Sequence, residues 1–299
     1  MTDQRSHALS GINISLGRGL EIGPLNRPLL AKSSGRIFYA DHCSTEELRT
    51  KYAGNPVVPS DDICSLDFDL SRMRLSETNS SGQFDYVVAS HVIEHVPDLV
   101  GWLRDIHGIL NDGGVLALVV PDKRFTFDVF RRETSFWMVQ EAEGRSRPSV
   151  EIVIDHFMNI VHADAGKLWA DSESRHEFRR TTGPGVCPNL IERHGRGEYI
   201  DAHCWVVTPW SFLKLLGQII EHYKFAYELL FFESTSLGQL EFYVQLRKSL
   251  VKTDWTARAK QAELDNNLIK TVPISVILVA WKSILLKLDK YRKIFHPIW

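Results

Sequence analysis

From Gly19 to about Val120 short apolar runs alternate with stretches in which apolar residues recur every three or four positions. That alternation is the mark of a parallel sheet whose strands are joined by crossover helices. Strands are expected near Gly19–Ile22, Arg36–Ala40, Pro56–Pro59, Phe84–Ala89 and Val115–Val120. A helix over Ser44–Tyr52 fits between the second and third of these. The clearest helix is Asp98–Leu110, where Leu99, Trp102, Leu103, Ile106 and Leu110 form one apolar face and Asn111-Asp112-Gly113-Gly114 turns the chain onward. After Pro121 the pattern gives way to roughly eighty residues rich in charge and aromatic rings, with Gly and Pro clustered over Thr182–Pro188. Regularity returns at Thr208-Pro209, a cap and first-turn pair for a helix over Trp210–Tyr223. Two apolar runs, Phe225–Phe232 and Glu241–Leu246, then flank Glu233–Gly238 as an antiparallel hairpin.

The expected fold is therefore α/β: a doubly wound, Rossmann-like, mostly parallel sheet with an antiparallel last strand. The pattern divides the chain into a core over 1–122, an inserted segment over 123–205 placed to act as a lid, a closing helix and hairpin over 206–250, and a helical tail over 251–299.

Composition narrows the function. With 44% apolar residues in 299 the chain can bury a real core. Its 35 basic residues are balanced by 37 acidic ones, so no global field draws it to nucleic acid. Cys43, Cys64, Cys187 and Cys204 are scattered, without a C-x-x-C pair, and fit a reducing cytoplasm better than a disulfide framework. Met1 to Ser15 lacks the basic and apolar regions of a secretory leader.

The first strand ends in Leu20-Glu21-Ile22-Gly23-Pro24-Leu25, where a glycine allows a tight turn and a close backbone approach to a ligand. The further glycines of a G-x-G-x-x-G phosphate cradle are missing. A nicotinamide dinucleotide is thereby disfavoured, and a phosphate-free adenosine cofactor remains compatible. Asp41 and His42 close the second strand about 20 residues later, where a carboxylate can accept both hydroxyls of a ribose. The plainer alternative is that Asp41 caps the helix that follows. Asp62, placed after the third expected strand, is assigned to an adenine amino group, with Ile63 against the ring.

The fourth strand leads into Ala89-Ser90-His91-Val92-Ile93-Glu94-His95-Val96-Pro97-Asp98, and Ile109-Leu110-Asn111-Asp112-Gly113-Gly114 follows. This run resembles class I S-adenosylmethionine (SAM)-dependent methyltransferases, in which "xxEHxPD" precedes a helix and an "LxxGG" turn. Glu21-Ile22-Gly23-Pro24 is similar to the first motif of that family, and Asp41 matches its ribose acid. Where the family often has a second glycine, this chain has Leu25 or Asn26. The resemblance implies SAM as cofactor, held by Glu21, Gly23, Pro24, Asp41, His42, Asp62, Ile63, Ser90, His91 and His95. Ser44–Arg49, Pro121–Phe125 and His203–Pro209 are similar to bacterial methyltransferases associated with glycosyltransferases and surface-polysaccharide assembly. That likeness implies O-methylation of a saccharide or glycan intermediate. A lipid-like or other small acceptor, or a SAM-binding subunit without turnover, are the competing readings.

A hydroxyl acceptor needs a proton acceptor within hydrogen-bond reach, and His91, His156 and His203 are the candidates. His95 alternatively serves to hold the loop against the next helix. No metal is expected: His91 and His95 lie four apart, but H-V-I-E-H is not H-E-x-x-H. Asp155-His156 and Asp201-x-His203 are read as loop surface rather than as ion ligands. Phe125, Phe127, Phe130, Phe136, Trp137, Phe157, Trp169 and Phe178 either cover a sugar or form the core of the lid. In the tail, Lys282, Lys287, Lys290, Arg292 and Lys293 interrupt an apolar stretch too short and charged to span a bilayer. The segment 271–299 is expected to lie on an anionic membrane surface, at the inner face of the cytoplasmic membrane, or to dock on its own domain, on a second copy of the chain or on a glycosyltransferase partner.

Overall fold

A computed structural model describes residues 2–80, 82–170 and 178–270. Seven strands form one sheet: β1 (Arg18–Ile22), β2 (Arg36–Asp41), β3 (Phe68–Asp69), β4 (Phe84–Ser90), β5 (Leu110–Pro121), β6 (Tyr227–Glu233) and β7 (Glu241–Lys248). Their order across the sheet is β3-β2-β1-β4-β5-β7-β6. The pairs from β3 to β5 are parallel, and β7 runs antiparallel to both β5 and β6. The doubly wound, Rossmann-like sheet with an antiparallel last strand is thus the observed fold.

Alternation explains why the central strands read as continuous apolar runs: both faces are buried. Along β5, Leu116, Leu118 and Val120 point into the larger core, and Ala117 and Val119 into a smaller one on the opposite face. The larger core is closed by α3 (Leu99–Ile109) and α8 (Pro209–Tyr223). Helix α3 starts where Asp98 accepts a hydrogen bond from the Gly101 amide at 2.8 Å. Its Leu99, Leu103 and Ile106 are buried, each stabilising the fold by about 1.5–3 kcal/mol. Thr208 caps α8 with Pro209 in its first turn, and Lys224 ends it in a left-handed conformation. The opposite face is covered by the end of α1 (Thr2–Ala8), by Leu9 and by Leu29-Leu30. Gln245 of β7 fixes this end by donating to the carbonyls of Ala8 and Ser10.

The third strand departs from expectation. Pro56–Pro59 is a turn, and β3 lies at Phe68–Asp69, paired with Ala40 and Asp41. Two prolines in four residues remove the amides a strand needs. The apolar character there serves a satellite cluster instead, in which Val58 and Ile63 pack under Leu48 of α2 (Thr45–Lys51). Residues 111–114, expected as a turn, form the irregular start of β5, with Gly113 at φ +79°.

Between β5 and α8 the chain carries α4 (Phe136–Glu141), α5 (Val150–Asn159), α6 (Ala165–Ala170) and α7 (Cys187–Gly195). Helix α4 joins the main core through Phe136, Met138 and Val139. Phe125 stacks on Trp169 at 3.8 Å in a small core of its own. Those aromatics are packing residues, and Trp137 is 64% exposed. From Ile200 to Thr208 the chain runs back, mostly buried, past the end of β4. After β7, α9 (Trp255–Lys270) packs on α8, with Trp255 directly against Gly217. A buried Asp122–Arg124 ion pair, extended to Asn266, ties α9 to the end of β5. This part of the tail docks on its own domain, and 271–299 lies outside the described residues. Among the described residues no helix is long and apolar enough to cross a membrane.

Candidate functional site

In open α/β sheets ligands bind beyond the carboxyl ends of the strands where the order reverses, which here is the crevice between β1 and β4. Gly23 leaves β1 at φ +70°, its amide still bonded to the Ala40 carbonyl at 2.9 Å. A Cβ built on it would stand 2.7 Å from Cγ2 of Val92, so the turn after β1 and the loop after β4 are in direct contact. Leu25 also takes a left-handed conformation, φ +44°. Leu25 and Asn26 are the two positions at which the resembling family often has its second glycine, and at Leu25 the turn takes the left-handed backbone with a side chain in place. That side chain packs against the satellite cluster of Leu48, Val58 and Ile63. Packing offsets the cost of the left-handed backbone, about 1–2 kcal/mol.

Glu21 faces inward. Its two oxygens accept from the Leu29 and Leu30 amides at 2.8 and 2.7 Å, and burial pushes its carboxyl up to about 7 against the pull of those bonds. It shapes the crevice by anchoring the segment that leaves the turn. Pro24 lies buried between the half-buried Gly23 and Leu25.

Asp41 closes β2, 6% exposed, with Oδ1 accepting from the His42 amide at 2.7 Å and lying 2.6 Å from His42 Nδ1. The helix cap is Ser44, whose hydroxyl accepts from the Glu47 amide, so Asp41 is not spent on capping. His42 stacks on Tyr199 with ring centroids 5.8 Å apart. With β3 relocated, Asp69, its last residue, and Leu70 after it, rather than Asp62 and Ile63, stand at the end of the third strand beside Asp41. The Leu70 amide bonds to the Asp41 carbonyl at 2.9 Å. Asp62 sits exposed in the turn Ser60–Asp62, and Ile63, 3% exposed, is core and has no face to offer a ring. Neither keeps the strand-end position on which its assignment rested.

The end of β4 carries the densest chemistry. Ser90 is the last strand residue; His91, at φ +53°, bonds through its amide to the Val119 carbonyl at 3.0 Å. Its ring has Nδ1 3.6 Å from Glu94 Oε1 and Nε2 3.9 Å from Glu241 Oε2. Burial opposes charge on His91, but the carboxylate of Glu94 outweighs it and raises the imidazole above its ordinary value. The returning segment closes over this loop: the Cys204 amide donates to the Glu94 carbonyl at 2.6 Å, and Trp205 Nε1 to the Val96 carbonyl at 2.7 Å. It brings Asp201 to 2.8 Å from His95 Nδ1, and Asp201, against the effect of burial, holds His95 up at about 9. His203 meets Asp128 through Nδ1 and crosses His95 edge to face at 4.6 Å. Arg131 locks the arrangement, donating to Asp128, to Asp155 and to the His203 carbonyl.

Of the three histidines named as bases, the structure brings His91 and His203 to the β4 loop. His156 is 8% exposed, its Nδ1 accepts from the His203 amide at 3.3 Å, and burial with the neighbouring His203 pushes it down to about 3. It supports His203 from behind. Phe127 lies against both rings. Asp128 and Tyr199 emerge as site residues that no local motif marks, and the reading of Asp155-His156 and Asp201-x-His203 as loop surface fails for the two histidines, which are buried at 8% and 7% exposure.

Residues 3–150 match a protein family described as a methyltransferase domain. The first half of the chain is a methyltransferase domain. With the glycine turn, the acid at the end of β2 and the seven-stranded sheet around them, the protein is a SAM-dependent methyltransferase. No functionally curated protein matches the sequence. Among solved structures it is similar to a magnesium protoporphyrin IX methyltransferase from Synechocystis PCC 6803 with bound SAH, at 10% identity and TM-score 0.36, covering 80% of this chain and 77% of that one. A Listeria monocytogenes protein described as an S-adenosylmethionine-dependent methyltransferase gives 11% identity and TM-score 0.42, covering 83% and 100%. A Rhodobacter sphaeroides protein described as a zinc-dependent alcohol dehydrogenase gives 12% and 0.45, covering 82% and 89%. At these scores the likenesses carry no functional weight, and the activity is read from the domain match and the site.

Proposed function

We propose that this methyltransferase transfers the methyl group of SAM to a hydroxyl of a saccharide or glycan intermediate in cell-surface polysaccharide synthesis. The observation that carries the reading is the contact of Val92 with Gly23. It sets the loop bearing His91, Glu94 and His95 at the rim of the cofactor crevice, where an acceptor must stand to meet the methyl. SAM supplies an activated methyl, so the chain's task is to align the hydroxyl with the C–S bond and to take its proton. The C–S bond breaks, an O–CH3 bond forms, and the hydroxyl proton passes to a base. His91 fits that role: it is 28% exposed, and Glu94 and Glu241 flank its ring. Asp41 accepts from the ribose hydroxyls, and the exit segment from Tyr199 to His203 covers the acceptor. A lining of imidazoles and carboxylates suits a polyhydroxylated acceptor better than an acyl chain. The basic residues of 271–299 would hold the protein at the inner membrane face, close to lipid-linked acceptors.

The test is transfer of labelled methyl from SAM to a panel of nucleotide sugars and lipid-linked saccharides. His91→Gln is expected to lower kcat by about 10²–10⁴-fold while SAM affinity is kept. SAM binding without transfer to any hydroxyl acceptor would sink the proposal and favour a cofactor-binding subunit of a glycosyltransferase assembly.

A further inference from the structure

We propose that Glu94, His95 and His203 form a binding site for a divalent transition-metal ion, with Zn2+ the best match to the donors. One donor atom from each residue lies within 4.8 Å of the other two. Tetrahedral zinc with bonds of about 2.0–2.1 Å holds its ligand atoms roughly 3.4 Å apart, so side-chain adjustments on the order of an ångström close the site.

The hydrogen bonds around the two imidazoles point the same way. His95 Nδ1 is engaged by Asp201 at 2.8 Å, and His203 Nδ1 is engaged by Asp128. A carboxylate on Nδ1 fixes a proton there and leaves Nε2 as the nitrogen where a cation can take the place of the second proton, the usual outer-shell arrangement of a metal-bound histidine. His95 Nε2 is 4.0 Å from Glu94 Oε1. The arrangement occurs twice around one point, each carboxylate coming from outside the β4 loop.

Glu94 is the independent observation. It is 2% exposed, and neither carboxylate oxygen has a partner within ordinary hydrogen-bond distance among the described residues, the nearest imidazole nitrogen, His91 Nδ1, standing 3.6 Å from Oε1. A buried acceptor left without a donor costs about 1–3 kcal/mol, more when charged. A cation between Glu94 and the two Nε2 atoms would satisfy it. The surroundings favour positive charge too: Asp128, Asp201 and Glu241 add to Glu94, against Arg131, Lys51 and the His91 imidazole between Glu94 and Glu241. Two imidazoles and one carboxylate select zinc-like ions over Mg2+ or Ca2+, which take oxygen ligands. Three protein ligands leave a fourth position open. Under the proposed function, which this role rests on, that position faces the acceptor hydroxyl, whose acidity a bound ion would raise. The absence of H-E-x-x-H argued against zinc, but the fold draws its third ligand from 108 residues further along the chain, His203 against His95.

The full chain, freed of any histidine tag and stripped with chelator, is titrated with Co2+ and followed by visible absorption and calorimetry. One ion per chain, displaced by Zn2+ and not by Mg2+, is expected. His203→Ala and Glu94→Gln should each weaken binding at least about 100-fold, and Asp201→Asn about 10–100-fold. Asp201 is 44% exposed, so its variant keeps its fold and decides the matter if the core variants do not. No Co2+ binding by the wild type, or unchanged affinity in Asp201→Asn and His203→Ala, overturns the site. SAM binding, measured separately on the same stripped protein, tests the methyltransferase reading independently of the metal.

Discussion

Gly23 and Val92 offer a direct test of how the cofactor turn is built. Gly23→Ala adds two separable costs. The left-handed φ of +70° is unfavourable for any residue with a Cβ, by about 1–2 kcal/mol. The new Cβ would also stand 2.7 Å from Val92 Cγ2, and such overpacking costs typically about 1–3 kcal/mol. The single variant should therefore lose about 2–5 kcal/mol. In a Val92→Ala background the clash is gone and only the backbone cost remains. The two substitutions should then couple favourably by about 1–3 kcal/mol. Urea denaturation of the wild type, both single variants and the double variant measures this, provided all four unfold in one transition. Calorimetric titration with SAM gives the functional half. Gly23→Ala should weaken binding about tenfold for each 1.4 kcal/mol, and Val92→Ala should return part of it. Additivity within about 0.5 kcal/mol would show that the β1 turn and the β4 loop are not in contact, and the placement of His91 beside the cofactor would fall with it.

Further outcomes follow from other parts of the molecule. Asp41→Ala should weaken SAM binding by roughly 10- to 150-fold, the value of a hydrogen bond or two to a carboxylate; calorimetry showing no change would remove Asp41 from the site. The carboxyl of Glu21 is raised by burial from 4.5 to about 7. Between those values the folded chain holds a proton that the unfolded chain has released, so stability is highest below pH 4.5 and falls as pH rises through 7. The loss reaches about 3 kcal/mol, and denaturation midpoints across pH 5–8 should lose that slope in Glu21→Gln. Asp122→Ala leaves the buried Arg124 guanidinium without its carboxylate and should cost about 3–5 kcal/mol by urea denaturation. A smaller loss would mean that α9 is not held to the core through this pair.

Much of the fold was legible because the central strands are buried on both faces. Leu116 to Val120 alternate between two cores, so every position must be apolar, and the run stands out whatever its neighbours do. Asp98 and Thr208 announce their helices for an equally local reason, since each side chain bonds to an amide three residues on. The third strand was not legible. Only two residues pair at that edge, and their apolar content is weaker than that of Val57-Val58, which buries its methyl groups in a turn. Apolarity reports burial, and burial in a satellite cluster looks the same as burial in a strand.

The site divides along the same line. Gly23 and Asp41 were readable because each job is done within a few residues of a strand end, where spacing is set by the chain itself. Leu25 shows how a local motif can be broken without losing its geometry: the left-handed backbone persists, and side-chain packing bears the cost that a glycine would avoid. Asp128, Asp201 and the pairing of His95 with His203 depend instead on where the return segment from Ile200 to Thr208 is laid down. That placement is fixed by Trp205 and Cys204 bonding to the backbone of the β4 loop, contacts between residues about a hundred positions apart that no periodicity announces. Once the segment is in place, each histidine acquires a carboxylate on one nitrogen, and a ring nitrogen of each lies within 4.8 Å of a Glu94 oxygen. A sequence can show that histidines and acids are present, but which nitrogen is free for chemistry is decided by tertiary structure alone.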